Sequence, residues 1–235
     1  MTQSADGEGR TLWQILTGTN KKDMTPLEFK YHNPLQAKVG MNITFSHEPS
    51  LQGVNFVIEQ IDVYQTEIGQ KKFYHTDYVL KGVSLNEDKP IRVRLRLEPD
   101  DNSFNELGCK IQVLKMIDGF SWDEGFYNEV LCHESDEFVI NNGDDNNEAR
   151  YTRVDGVHDP YFATVTVLID TDGDGTVEDE ELEHYNTEYW DYQRTVLGEY
   201  SDESQEYLWV EKDDNTGYFS LYLGGEVNPD QIMIL

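Results

Sequence analysis

A twelve-residue stretch in the second half of the chain has the residue types and the spacing that suit a bound divalent cation. It reads Asp170-Thr171-Asp172-Gly173-Asp174-Gly175-Thr176-Val177-Glu178-Asp179-Glu180-Glu181, and seven of its twelve side chains are carboxylates. Calcium takes roughly six to eight oxygen ligands. In a tight loop, alternate residues can direct Asp170, Asp172 and Asp174 to one point. Gly175 permits the sharp turn, and the Thr176 carbonyl adds a ligand.

This stretch resembles the calcium loop of the EF-hand family, with acidic residues at positions 1, 3 and 5, Gly at 6, an aliphatic residue at 8 and Glu at 12. The resemblance implies that Glu178 binds the ion directly or through water and that Glu181 supplies both carboxylate oxygens. A solvated acidic turn is the alternative, but so many carboxylates repel one another without a cation. The predicted cofactor is calcium, with the metal ligands Asp170, Asp172, Asp174, Thr176, Glu178 and Glu181.

The segments around this loop depart from the EF-hand pattern. The preceding run, YFATVTVLI, is rich in β-branched residues and predicts a strand, and a helical turn is expected only afterwards, in VEDEELEHY. The chain contains no second loop of this kind. A single strand-loop-helix site is typical of a structural calcium rather than of a paired sensor.

Most of the remaining sequence predicts β-strands. VGMNITFS, VNFVIEQIDVYQT, KKFYHTDYVLKG, IRVRLRL and CKIQVLKM indicate a meander of about five strands, and further strands are expected in FYNEVLC, DEFVIN, TEYWDYQRTVL, EYLWVEK, YFSLYLG and QIMIL. The residues from Asp213 to Gly217 predict a hairpin turn in which Asn215 and Gly217 take positive φ. TLWQILTG, near the N-terminus, favours a short helix.

We therefore expect a mainly β protein of two packed antiparallel sheets or small barrels, with a short N-terminal helix and the strand-loop-helix calcium site. The predicted divisions are an N-terminal arm (1–36), a β-rich domain (37–140), a linker or long surface loop (141–156) and an acidic β-rich subdomain with the calcium loop (157–235). The segment 141–156 is placed between domains because it has almost no apolar content.

Composition limits the classes of function. The chain has 46 Asp and Glu against 18 Lys and Arg, a formal net charge of -28, and nearly all of that charge lies after residue 100. Such a surface repels nucleic acid. We find no signal-peptide pattern and no transmembrane run, which predicts a cytoplasmic protein. Cys109 and Cys132 are expected to be free, buried thiols. An unidentified protein partner and the oligomeric state are left open.

Two further groups of residues are candidates for a surface site. In IRVRLRL, strand alternation places Arg92, Arg94 and Arg96 on one face, where they would bind an anionic ligand or headgroup or, as we favour, pair with acidic residues. An aromatic cluster would line a sugar or peptide groove or, as we favour, form the core and rim of a sheet. Its members are Tyr185, Tyr189, Trp190, Tyr192, Tyr200, Tyr207, Trp209, Tyr218, Phe219 and Tyr222.

No catalytic motif is present, and Cys132-His133-Glu134 favours a buried Cys beside an exposed His rather than a nucleophile and base. Four segments resemble uncharacterised bacterial families of β-rich proteins associated with phage-shock-type membrane-stress proteins: PLQAKVGMNITF, TEYWDYQRTVL, EYLWVE and YFSLYLGGEVNPDQI. This resemblance implies a cytosolic accessory protein. We predict a non-enzymatic binding or adaptor module with a structural calcium; a calcium-dependent hydrolase acting on carbohydrate and a single-site calcium sensor are the alternatives.

Overall fold

The computed structural model describes residues 33–46, 50–83, 90–100, 107–132, 136–141, 148–154, 159–168, 182–197 and 203–235. Of these residues, 68% lie in strands and 7% in helical turns, which confirms the mainly β class. The predicted N-terminal helix and the calcium loop lie outside the described residues.

The strands follow the alternating apolar runs of the sequence. They are β1 (Asn42–Phe45), β2 (Phe56–Ile68), β3 (Lys71–Gly82), β4 (Ile91–Pro99), β5 (Cys109–Phe120), β6 (Glu137–Asn141), β7 (Glu148–Arg153), β8 (Tyr161–Leu168), β9 (Leu182–Leu197), β10 (Glu203–Asp213), β11 (Phe219–Glu226) and β12 (Ile232–Ile234). A π-helical turn covers Phe126–Leu131, and a 3-10 turn covers Pro229–Gln231.

Eight of these strands close into an antiparallel barrel. Around the barrel the order is β2, β3, β4, β5, β11, β10, β9 and β8, and β8 pairs again with β2. β1 and β12 extend the sheet beside β2, whereas β6 and β7 extend it beside β9. The described strands of residues 37–140 and 157–235 therefore belong to one sheet, and the more specific expectation of two packed sheets or small barrels is not confirmed.

Strand alternation divides the side chains between the barrel interior and its outer surface. One apolar cluster covers the outer face of β2 to β5 and includes Phe56, Tyr78 and Leu95. A second covers the outer face of β9 to β11 beneath β6, β7 and the π-helical turn, and includes Trp190 and Phe219. A third, more aromatic cluster lies inside the barrel.

The structure corrects several local predictions. FYNEVLC is not a strand, because Asp123 accepts a hydrogen bond from the Phe126 backbone N–H at 2.8 Å and the chain turns there. Cys132 follows this turn and is exposed, whereas Cys109 is buried, and neither forms a disulfide with a described residue. Part of the predicted linker forms β7, since its alternate residues Ala149 and Tyr151 are buried.

The start of β9 and the β10–β11 hairpin turn also differ in detail from the predictions. β9 begins at Leu182, so the residues of VEDEELEHY from there onward are extended rather than helical. In the β10–β11 hairpin, Gly217 has a φ of 66°, as expected, but Asn215 does not take positive φ. The Asp213 carboxylate holds this turn by accepting from the Asn215 and Thr216 backbone N–H groups.

Candidate functional site

All six predicted metal ligands, Asp170, Asp172, Asp174, Thr176, Glu178 and Glu181, lie outside the described residues. The residues that flank the loop are described: Leu168 ends β8, Leu182 begins β9, and the two are register partners. The segment therefore connects two neighbouring strands of the barrel. Within the ranges that the structure describes, no group of three or more His, Cys, Asp and Glu side chains could hold a metal ion.

The barrel interior contains a buried ionic network centred on Arg94. Its Nη2 donates to Glu211 Oε2 at 2.7 Å, and its Nη1 donates to Asp77 Oδ2 at 3.2 Å and to the Tyr64 hydroxyl. Asp62 Oδ2 lies 3.4 Å from the same Nη1. Because these partners come from β2, β3 and β10, the network ties opposite walls of the barrel together.

Arg96 forms the second half of this network. Its Nε and Nη2 donate to the two carboxylate oxygens of Asp77 at 2.9 and 3.0 Å, a bidentate pair. The guanidinium carbon lies 3.3 Å from the ring centroid of Trp209, which in turn stacks on Tyr189 at 4.2 Å. His75 stacks on Tyr64 with a centroid separation of 4.3 Å. Cation–π and aromatic contacts thus surround the buried charges.

The buried titratable groups respond to their surroundings in different ways. Burial raises the pKa of Asp62 to about 7, although the charge of Arg94 opposes this shift. Burial also acts to raise the pKa of Asp77, but Arg96 outweighs it and holds that pKa well below its usual range. Burial and then Arg96 lower the pKa of His75 to about 3, so this imidazole is neutral at pH 7.

A pocket of about 340 Å³ opens at one end of the barrel. Arg94 and Glu211 form its inner end, and the other described residues that line it are Tyr185, Asp213, Thr216, Tyr218 and Ser220. We call it the mouth pocket. β10 ends at the same barrel end at which β9 begins, since Asp213 pairs with Thr187. The connection that carries the calcium motif therefore starts and finishes at the end of the barrel that bears this pocket.

The structure agrees with the favoured interpretation of the arginine stripe. Arg94 and Arg96 are buried and paired with acidic residues, whereas Arg92, at the start of β4, is exposed. The opposite residues of the run, Ile91, Val93, Leu95 and Leu97, are all buried in the outer apolar cluster.

The aromatic cluster is mostly core, as favoured, but it is divided between two environments. Tyr189 and Trp209 lie in the barrel interior, whereas Trp190 and Tyr192 face the outer cluster. Tyr218 is 40% exposed and lines the mouth pocket. Tyr200 lies outside the described residues.

Sequence reasoning missed the acidic partners of the network, Asp62, Asp77 and Glu211. A signal for them exists, because each is a carboxylate within a strand rich in β-branched or aromatic residues, in IEQIDVYQ, YHTDYVL and YLWVEK. An acid in such a strand has to face solvent or a buried cation. Choosing between these two environments requires the pairing of strands far apart in the chain.

No protein-family model, curated protein or solved structure matches the chain. The resemblances to the EF-hand loop and to the phage-shock-associated families therefore stay predictions. Among the described residues, no helix has the length and apolar character needed to cross a bilayer.

Proposed function

We propose that the protein binds one calcium ion in the connection between β8 and β9. Asp170, Asp172, Asp174, the Thr176 carbonyl, Glu178 and Glu181 supply oxygen ligands, and the donor set fits calcium because every ligand is a hard oxygen. The observation that carries the proposal is the twelve-residue spacing itself. It lies between Leu168 and Leu182, which are paired residues of neighbouring strands.

The bound ion supplies charge neutralisation and a cross-link within the connection. Seven carboxylates in twelve residues repel one another, and calcium compensates this repulsion at the most acidic point of a chain with a net charge of -28. Because the ligands range from the first to the last residue of the motif, the ion joins the end that follows β8 to the end that precedes β9.

A structural role is favoured over a sensor by the strands that flank the motif. β8 is hydrogen-bonded on both sides, to β2 and to β9, within the closed barrel. EF-hand sensors respond by changing the angle between two helices. Here both flanking elements are strands fixed in a sheet, so the ion stabilises one arrangement instead of selecting between two.

A binding module is favoured over a hydrolase by the state of the carboxylate deepest in the mouth pocket. Glu211 Oε2 accepts from Arg94, and Oε1 accepts from the Tyr64 hydroxyl at 2.7 Å and from Thr187. Both oxygens are occupied by partners within the protein, which suits a structural carboxylate better than a general acid or base. The cytoplasmic location and the adaptor role remain part of this proposal.

Calorimetric titration tests the calcium proposal. Chelator-treated protein is titrated with calcium and then with magnesium, in the wild type, in Glu181→Gln and in the control Glu203→Gln, which removes the same charge from the exposed start of β10. We expect one calcium with a dissociation constant of about 1 μM or below and weaker magnesium binding. Glu181→Gln should weaken calcium binding at least about 10-fold, a loss of ~1.4 kcal/mol, whereas Glu203→Gln should not. Absence of heat, or equal weakening in both variants, contradicts a specific site.

A further inference from the structure

We infer that the mouth pocket binds a small, uncharged, polyhydroxylated ligand of the size of a simple sugar or cyclitol. The inference goes beyond the calcium proposal, since it rests on described residues that lie outside the motif at 170–181. It rests on three features of the pocket: a closed ion pair at its inner end, hydroxyl groups on its walls and a volume of about 340 Å³.

Arg94, which lines the inner end of the pocket, has one buried donor that the described residues do not use. Arg94 is 7% exposed, and its terminal nitrogens donate to Glu211, Asp77 and Tyr64. Its Nε is buried and has no hydrogen-bond partner among the residues that the structure describes. An unpaired buried donor is costly, and a ligand oxygen that reaches it removes this cost.

The walls carry hydroxyl groups and aromatic faces. Ser220 and Tyr218 line the pocket, and among the described residues their hydroxyls have no hydrogen-bond partner, whereas Thr216 Oγ1 accepts from the Tyr218 backbone N–H at 3.2 Å. Each hydroxyl can both donate and accept. The rings of Tyr185 and Tyr218 add apolar surface beside these polar groups. A polyol carries both hydroxyl groups and apolar C–H faces, so it can contact the wall hydroxyls and the aromatic rings at the same time.

The charges of the pocket disfavour ions of either sign. An anion would meet the carboxylates of Glu211 and Asp213 within a protein of net charge -28. A cation would meet the Arg94 guanidinium, and the Glu211 carboxylate is already engaged by Arg94, Tyr64 and Thr187. A neutral ligand avoids both penalties and still uses the unpaired donor and hydroxyls.

The volume sets the size of the ligand. Small-molecule sites span roughly 300 to 1,000 Å³ and commonly lie in the mouths of β-barrels. At about 340 Å³, the mouth pocket lies at the small end of this range. It is therefore suited to a single sugar ring or a cyclitol rather than to an oligosaccharide.

Ligand-observed saturation-transfer NMR, followed by titration, tests the inference with defined probes. The neutral probes are glucose, galactose, mannose and myo-inositol, and the charged probes are choline and gluconate, all in the presence of calcium. The pocket variants are Tyr218→Leu and Ser220→Val. The control is Phe162→Leu, which removes an aromatic ring that is 60% exposed on β8 and does not line the pocket.

We expect at least one neutral probe to bind with a dissociation constant of about 1 mM or below and the charged probes not to bind. Each pocket variant should weaken that binding about 5-fold or more while retaining the wild-type melting temperature within a few degrees, and Phe162→Leu should leave it unchanged. The inference is overturned if no neutral probe binds, if both pocket variants bind like the wild type, or if choline or gluconate occupies the pocket. The titration is repeated with Glu181→Gln. Binding of the neutral probe by this variant would show that the pocket acts independently of the calcium site.

Discussion

Arg94 and its partners place a group of paired charges in the barrel interior. Asp62, Asp77 and Glu211 bring three carboxylates to one guanidinium, and all four side chains are buried. Removal of Arg94 from this network would leave buried carboxylate oxygens without their main cation, and Asp77 would keep only its pair with Arg96. The stability of the fold therefore depends on charged residues that would contribute little if they were exposed to solvent.

Replacement of Arg94 by Met should strongly destabilise the protein. We expect Arg94→Met to lower the free energy of unfolding by about 3–5 kcal/mol, because Glu211 and Asp62 lose their cation in a water-poor interior while Asp77 keeps only Arg96. Arg92→Met is the matched control on the same face of β4, and because Arg92 is exposed we expect a change within about 0.5 kcal/mol. Urea unfolding of both variants measures the difference, and equal losses would show that the Arg94 network contributes nothing beyond an exposed charge.

Asp62 should make the stability of the protein fall as the pH rises from about 4 to about 7. Its pKa is about 7 in the folded protein, mainly through burial, and about 4 in an unfolded chain. In this window the unfolded state releases the Asp62 proton while the folded state retains it, so unfolding becomes easier by up to about 1.4 kcal/mol per pH unit. Above pH 7 both states are ionised and this contribution no longer changes.

Comparison with Asp62→Asn isolates this effect. The difference in unfolding free energy between the wild type and Asp62→Asn should change across pH 4–7 and stay constant from pH 8 to 9. The exposed control Asp230→Asn should follow the wild-type profile. A wild-type minus Asp62→Asn difference that is constant from pH 4 to 9 would mean that Asp62 keeps an ordinary acidity in the barrel.

At the scale of the elements, local sequence patterns predicted strands well and failed where a side chain redirected the backbone. β3 covers the same residues as the run KKFYHTDYVLKG, because this run is rich in aromatic and β-branched residues and follows the turn-like residues IGQ. FYNEVLC has similar composition but follows Asp123, whose carboxylate accepts from the Phe126 N–H and starts a turn. The strand preferences of the residues alone do not reveal such a contact between a side chain and the backbone.

Barrel closure was beyond local patterns because it depends on pairings between distant strands. β2 pairs with β8, and β5 pairs with β11, so each pairing joins residues about a hundred positions apart in the chain. The arginine alternation in β4 was predicted from the sequence. The placement of that face inside a closed barrel, opposite Glu211 on β10, follows only from these pairings.

The β5–β11 pairing requires glycine at one position. A Cβ on Gly224 would lie 1.7 Å from the Val113 carbonyl oxygen, so Gly224→Ala should separate β5 from β11 and cost about 3 kcal/mol, the upper range for overpacking. Gly225→Ala is the control, since its Cβ would meet the Gln205 carbonyl oxygen at an ordinary 3.4 Å. Thermal melting of both variants compares them. A Gly224→Ala variant as stable as Gly225→Ala would show that this contact can relax freely.

The whole molecule is a highly acidic barrel in which negative charge is compensated in two ways. Inside, arginines pair with carboxylates that are contributed by three other strands. At one end, we propose that the acidic connection between β8 and β9 binds an external cation. The sequence predicted the second feature from spacing alone, because the ligands of a calcium loop are contiguous in the chain.

Calcium bound by residues 170–181 should stabilise the end of the barrel where β8 and β9 meet. Hydrogen exchange measures this stabilisation directly at the register pairs Val167 with Glu183 and Leu168 with Leu182. At a calcium concentration about 100 times the dissociation constant, exchange at these amides should slow by up to about 100-fold, ~2.7 kcal/mol. At the same calcium concentration the slowing in Glu181→Gln should be about 10-fold or less, because this concentration is at most about ten times the weakened dissociation constant. Equal exchange with calcium and with chelator in the wild type would contradict the account.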